Sequence, residues 1–375
     1  MRYVFSFGLA LALGLALMAG CSDENGEGGA GGTAGTGGVA GTGGMAGVGG
    51  EGGTGGIAAC VDHVCPCTEA GIRAAIAEGG EEPFTFACDG PQTVVSDARF
   101  YIDKDVILDG ESNLTVQSAT RGYGVFEIKD GVSAELHGFS ITGGSEGIAS
   151  NGTLTVANST LSGNDIGITS LPSLTMINST VSGNNVGMVV LGELRVINST
   201  VSGNNGESCS GGGMSLCLGG GILFQEGEAT VTSSTVSDNG GDEHASIYVG
   251  FFEPGPTNMT LTNTLVDGDC SVVGDESSIT SGGHNIESPG NTCGFDHETD
   301  QVNVTTEQLN LGPLVDNGGP TQTHALLPGS VAIDQIPEAD CVDADDQPLT
   351  TGQRGEPRPE PGGTMCDVGA FEVQP

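Results

Sequence analysis

Tryptophan is missing from these 375 residues, tyrosine occurs four times, and lysine and arginine together only nine times. Few aromatics, 4% of the chain, argue against the stacking platforms that grip sugars in many carbohydrate sites. Nine basic against forty-eight acidic residues give a formal charge of −39, which excludes nucleic acid and anionic lipid as electrostatic partners. That balance suits an extracytoplasmic surface. Beyond Ala19 no second hydrophobic run long enough for a spanning helix follows.

What the chain has instead is a repeat of twenty residues between Leu114 and about Asn205. Leu114, Ala134, Leu154, Leu174 and Leu194 form one apolar column, and Val116, Leu136, Val156, Met176 and Val196 a second. Ile141, Leu161, Val181 and Val201 form a third, and Ile128, Ile148, Ile168 and Met188 a fourth. Polar turns recur between them: "NST" at Asn158, Asn178 and Asn198, and "SGN" at Ser162, Ser182 and Ser202. A fixed period of this size means stacked units, each too small to bury its own apolar face. Alternation in "TLTV" and "ELRV" is strand periodicity, and Gly and Asn punctuate the strands. Three short strands per repeat describe one rung of a right-handed parallel β-helix. A hexapeptide helix needs a period divisible by six, a leucine-rich repeat needs Leu-x-x-Leu-x-Leu, and a nonapeptide calcium roll needs Asp at every ninth position; none is present.

At the start, Arg2, the apolar run from Val4 to Ala19, and "LMAGC" read as a secretory signal over 1–20 with a lipobox-like end. Cys21 is therefore the expected lipidated N-terminus, and Ser22 after it favours outer-membrane sorting. Lipid would be the anchor, a membrane the first partner. Residues 21–58, nearly all Gly with Ala, Thr and Glu, cannot bury a core and read as a tether. In 59–112, "CTEAGIRAAIAEG" predicts a short amphipathic helix with Thr68 as N-cap, Ile72, Ala75 and Ile76 on one face, and Gly79 as its stop. Such a helix would cover the open end of a tube. Rungs are expected over 113–292, interrupted by a loop at 206–220, with Ala229, Val231, Met259 and Leu261 continuing the columns. Beyond Cys293 the periodicity dissolves into an irregular, disulfide-bonded C-terminal cap, 293–375.

Eleven cysteines less a lipidated Cys21 leave ten, and a secretory signal implies an oxidising compartment. The expected pairs are Cys67–Cys88, Cys209–Cys217, Cys270–Cys293 and Cys341–Cys366, with Cys60–Cys65 by elimination. Zinc is a poor alternative, since Cys65-Pro-Cys67 lacks ligand spacing and has no His cluster beside it.

Polysaccharide lyases, epimerases and hydrolases use β-helices, so catalysis needs testing against the residues. A lyase needs a base and metal-binding carboxylates on one face, and a glycosidase needs two carboxylates at a set separation. The outward positions Thr115, Glu135, Thr155, Thr175, Arg195, Thr230 and Thr260 stack no adjacent carboxylates. Arg195, with Glu193 beside it, reads as an exposed ion pair rather than a lone lyase-like base. Asn158, Asn178 and Asn198 fit Asn-X-Ser/Thr, yet their period equals the rung, so stacked amides satisfying one another explain them better than glycosylation. "DADDQ" at Asp343 resembles a calcium loop without its Gly and distant Glu. His63, His137, His244, His284, His297 and His324 are scattered. No catalytic residue, metal ligand or cofactor is expected, calcium being the one candidate.

From Leu311 to Glu372 the chain reads "LGPLVDNGGPTQTHALLPGSVAID", then "DADDQPLTTGQRGEPRP" and "CDVGAFE". This resembles bacterial choice-of-anchor Q domain proteins, as do "CTEAGIRAAI", "GFSITGG", "GGHNI" and "NTCGF" further back. The "GGGI" and "SGNN" pieces resemble chlamydial polymorphic outer membrane protein repeats more weakly. The first resemblance implies a cell-surface β-helix whose anchor varies between members; it supplies no reaction. One departure is Gly352, where the family carries Asp before "QRG". Together these readings describe a lipid-anchored, surface-exposed outer-membrane β-helix of adhesive or structural role, whose partners beyond the membrane are a glycan or another surface protein. The alternatives are an enzyme using a groove beside the loop at 206–220, or a carbohydrate-binding module.

Overall fold

The computed structural model describes residues 60–205, 220–240, 245–250 and 255–375. They form an all-β chain, 6% helix and 48% strand, wound into a parallel β-solenoid of about nine turns. Each turn contributes a strand to three ladders that share twenty-three strands. In the first ladder Ala134, Leu154, Leu174, Leu194, Ala229, Met259 and Ile279 lie directly above one another. In the second the interior column runs Val94, Val116, Ile141, Leu161, Val181, Val201, Val236, Val266. In the third it runs Phe100, Phe126, Ile148, Ile168, Met188, Ile222, Ile247. Most of these side chains are fully buried and belong to one continuous core. The twenty-residue columns are thus the interior of the tube, as their alternation predicts.

Three columns need correcting at their N-terminal end. Leu114 stacks on Phe139 and Val116 on Ile141, so both belong to the second ladder, while Val106 and Leu108 occupy the places below Ala134 and Leu136. The cause is a corner between Asp109 and Leu114, where Glu111 and Ser112 adopt positive φ. The chain turns there, and residues after it face the next ladder; Thr115 accordingly neighbours Ser140 and not Glu135. Likewise Ile128 stacks on Ser150, and Phe126 takes the place below Ile148. Residues 60–112 already belong to the tube, since Val64–Pro66, Gly80–Ala87 and Gln92–Ser96 pair in parallel with later strands.

The N-terminal end is filled by large rings. Phe100 and Phe126 lie 5.3 Å apart between centroids, and Phe139 meets Phe86 and Phe126 at 6.1 Å. Over them sits the helix Glu69–Glu78, capped by the Thr68 hydroxyl accepting from Gly71 N–H and ended at Gly79 with φ 65°. Ile72, Ala75 and Ile76 are its buried face. At the other end the second interior column finishes on Glu287, paired above Val266 and fully buried. Its carboxylate accepts from the backbone N–H of Thr292 and of Cys293, so the loop after the last strand is tied across the opening. Phe295 joins the main core there.

The C-terminal cap does more than close that end. Leu265 and Ile286, on the outside of the last rungs, form a second core with Val304, Leu309, Leu326, Ile336, Val368 and Phe371. From there residues 311–375 run back along the flank of the tube as a strap.

Candidate functional site

The corners that hold the rungs together carry two Asn series with the same period, and only one is an amide ladder. Asn158, Asn178 and Asn198 each adopt φ near +50°, a conformation Asn tolerates better than most residues. Their side chains do not bond to one another. Asn178 Oδ1 is buried without a hydrogen-bond partner, and Asn198 reaches the strap instead. The stacked amides are those ending "SGN": Asn164 Nδ2 donates to Asn184 Oδ1 at 3.1 Å, Asn184 to Asn204 at 2.9 Å, and Asn204 to Asn239 at 2.9 Å. The residues before the first three, Gly163, Gly183 and Gly203, hold positive φ, which turns each following Asn under its neighbour. A parallel hydroxyl ladder runs through Ser159, Ser179, Ser199 and Ser234, each backbone N–H donating to the next hydroxyl. Buried polar groups here are satisfied rung to rung.

The flank beneath the strap is built from the short strands Thr160–Ser162, Thr180–Ser182, Thr200–Ser202 and Thr235–Ser237. In each, the central Leu or Val faces the core, so Thr and Ser hydroxyls form two outward columns. The strap covers them. Gln353, 1% exposed, accepts from Thr200 Oγ1 at 2.6 Å and donates to Thr180 Oγ1 at 2.9 Å and Thr321 Oγ1 at 2.8 Å. His324 pairs with Ser202 Oγ at 2.7 Å through Nε2 and with Gly312 O at 2.7 Å through Nδ1. A carbonyl on Nδ1 makes that nitrogen the donor, so Nε2 accepts from Ser202. This is the geometry of a nucleophile and its base. With Ser202 and His324 only 1% and 2% exposed, however, no substrate reaches them and the pair acts as a fastener.

Arg358, 3% exposed, donates through Nε to Glu372 Oε2 at 2.9 Å, through Nη1 to Asn198 Oδ1 at 3.1 Å, and through Nη2 to the carbonyls of Gly369 and Phe371. Glu372 Oε2 also accepts from Asp367 N–H, and Asp367 accepts from Asp334 and Val373 N–H. Arg354 stacks on Phe371 at 3.8 Å and donates to the carbonyls of Asn317 and Glu372. Main-chain oxygens therefore hold Arg354, and Gly352 has no carboxylate to offer it.

Arg195 is not free to act as a base. It meets Asp345 bidentately at 2.7 and 2.6 Å and lies 3.6 Å from Glu193. Asp345 raises the Arg195 pKa against the opposing effect of burial, and Arg195 holds the Asp345 carboxyl below its ordinary value. In the same loop Asp343 Oδ1 accepts from the N–H groups of Asp345 and Gln347. The acidic run "DADDQ" is thus an Arg-bound turn; among the described residues no group of three or more His, Cys, Asp or Glu side chains is placed to hold a metal ion.

Cys60–Cys65, Cys67–Cys88, Cys270–Cys293 and Cys341–Cys366 are disulfides, which also removes Cys65 and Cys67 as metal ligands. Cys21, Cys209, Cys217 and the loop at 206–219 lie outside the described residues. On the N-terminal outer face, burial pushes Glu127 up, but Lys129 and Arg99 outweigh it and hold the carboxyl below its ordinary range. Arg99 bridges Glu127 at 2.6 Å and Glu146 at 3.0 Å, so these charges are also paired. One open groove of about 580 Å³ lies at the same end, between Val61, Val64, Cys67, Ala87 and Gln92. It holds no converging acid, base or aromatic set.

The strap contacts of His324 with Ser202 and of Gln353 with Ser179, 122 and 174 residues apart in sequence, had no local signal. The Thr and Ser columns were visible as "STLS" and "STVS", and a fully apolar-free outer column that nonetheless repeats is the clue that something docks there. Comparison with protein-family models, with curated proteins and with solved structures finds no match to this chain.

Proposed function

We propose that this chain is a lipid-tethered, surface-displayed β-helix that serves adhesion or envelope structure and performs no catalysis. In this reading it belongs with choice-of-anchor Q domain proteins, Cys21 carries the lipid, and the residues up to the first disulfide lead from the membrane to the tube. The observation that carries the proposal is how the reactive groups are employed. Arg195, His324, Gln353, Arg354 and Arg358 all fasten the strap to the rungs or to itself. "TTGQRGEPRP", where the resemblance is most specific, supplies three of the five. Four disulfides among the described residues support an oxidising, extracytoplasmic setting.

The test is antibody labelling of intact cells that express the full chain, beside Cys21→Ser. Surface labelling without permeabilisation, and release of Cys21→Ser from the membrane fraction, is the expected result. Labelling only after permeabilisation would overturn display, and a membrane-bound Cys21→Ser would overturn the lipid anchor.

A further inference from the structure

The strap is fixed at its C-terminal end by an ionisable cluster whose charges do not balance. Arg358 supplies one positive charge; Glu372 and Asp367, each 2% exposed, supply two carboxyls. Glu372 Oε2 accepts both from Arg358 Nε at 2.9 Å and from the Asp367 backbone N–H at 3.0 Å, which sets it between the guanidinium and the residue that bears the second carboxyl. Around them stand Asp334, whose N–H donates to Asp367, and Arg354, which contacts the Glu372 carbonyl and faces Glu356. From the rungs, Asn198, Thr235 and Asn263 face the cluster, and none of these titrates. With both carboxyls ionised the buried site carries an excess negative charge, which is costly away from water. One proton restores neutrality, and the guanidinium keeps its own.

We propose that the C-terminal segment is a proton-operated clasp: docked on the rungs, the cluster around Arg358 holds one proton, on Glu372, and its loss loosens the segment from the tube. The direction follows from burial. It pushes Glu372 up from 4.5 to about 7, further than Arg358 pulls it down, and raises Asp367 as well. A carboxyl whose docked pKa is raised gives a contact that is strongest below 4.5 and is lost as the pH rises through about 7. The clasp is therefore tight in mild acid and loose in mild alkali. Its release would bare the Thr235 hydroxyl, which Ala370 N–H holds.

Gly369 N–H donates to Asn263 O, and Ala370 N–H to Thr235 Oγ1, so these two amides report docking directly. The experiment is hydrogen exchange by mass spectrometry on the full chain between pH 5.5 and 8.5, with times scaled for intrinsic exchange and rung peptides as reference. Protection of the peptides spanning 366–373 should fall by up to about tenfold per pH unit approaching pH 7 and then level off. Rung peptides should not change. Glu372→Gln, which keeps an acceptor but cannot ionise, should abolish that dependence and hold the segment as well at pH 8.5 as at 5.5. Equal protection of wild type at all pH values, or a Glu372→Gln variant with wild-type dependence, would overturn the clasp. Should that variant not fold, carboxyl-carbon NMR titration of wild type decides: a buried glutamate titrating near 7 supports the clasp, and all glutamates titrating near their ordinary value refute it.

Discussion

Replacing Asn184 by Ala should be among the most damaging single polar changes in the tube, whereas Asn178→Gly, six residues earlier, should be nearly silent. Asn184 Oδ1 accepts from Asn164 N–H at 3.0 Å and from Asn164 Nδ2 at 3.1 Å. Its own Nδ2 donates to Leu161 O at 3.1 Å and to Asn204 Oδ1 at 2.9 Å. Truncation removes all four bonds inside a site where Asn184 is 3% exposed; it leaves the Asn164 backbone N–H without its acceptor, while Asn164 Nδ2 keeps Ile141 O and Ser162 O and Asn204 Oδ1 keeps the backbone N–H of residue 184. At about 1–3 kcal/mol for the N–H left buried and unpaired and about 0.5–1 kcal/mol for each of the other three bonds, the loss is about 3–5 kcal/mol. Asn178 makes no side-chain hydrogen bond through its Oδ1, and its φ of 49° is one glycine adopts freely. Asn178→Gly should therefore change stability by less than about 1 kcal/mol. Guanidinium unfolding of the two variants beside wild type measures both. Equal midpoints for Asn184→Ala and Asn178→Gly would refute the assignment of the ladder.

Leu174→Asp should leave the domain unfolded, because the side chain is fully buried in the first interior column and a lone charge there costs several kcal/mol; a wild-type melting curve would contradict this. Leu174→Ala should fold with a loss of about 2–5 kcal/mol, read in the same titration. Asp345→Asn breaks an exposed contact with Arg195 and should leave the melting temperature unchanged, although peptides at 342–348 should exchange faster. A screen of uronate polymers should yield no product with wild type. Turnover that disappears in Arg195→Gln would replace the display reading with an enzymatic one.

The parts of the fold that could be read in the sequence are those where the turn between strands has a constant length. From Ala134 to Leu194 every corner spends the same number of residues, so position in the chain maps directly onto height in the tube. Leu114 kept the twenty-residue spacing to Ala134 by coincidence, and the corner at Glu111 and Ser112 moved it to another ladder. Ile128 failed similarly, because the turn between Phe126 and Ala134 is two residues longer than the one between their register partners Ile148 and Leu154, which brings Phe126 and not Ile128 under Ile148. The two Asn series could not be separated by period at all. They differ in whether the Asn itself holds positive φ, as Asn158 does, or follows a Gly that does, as Asn164 follows Gly163. Short-range cysteine pairs were legible because loop closure favours near neighbours. The strap was not, since Gln353 meets Thr180 across 173 residues and no local pattern encodes that docking.

The stacking itself can be tested with paired cysteines on the outer face, where packing is undisturbed. Thr155 and Thr175 are register partners in adjacent rungs, and Ile177 stands two residues further along the same strand. Neighbouring strands lie about 4.8 Å apart, within the 4.4–6.8 Å that a disulfide spans, whereas two residues of strand rise put Thr155 and Ile177 about 8 Å apart. Peptide mapping under non-reducing conditions should find the Thr155→Cys/Thr175→Cys pair joined and the Thr155→Cys/Ile177→Cys pair open. The opposite pattern, or two open pairs, would contradict in-register rungs of twenty residues.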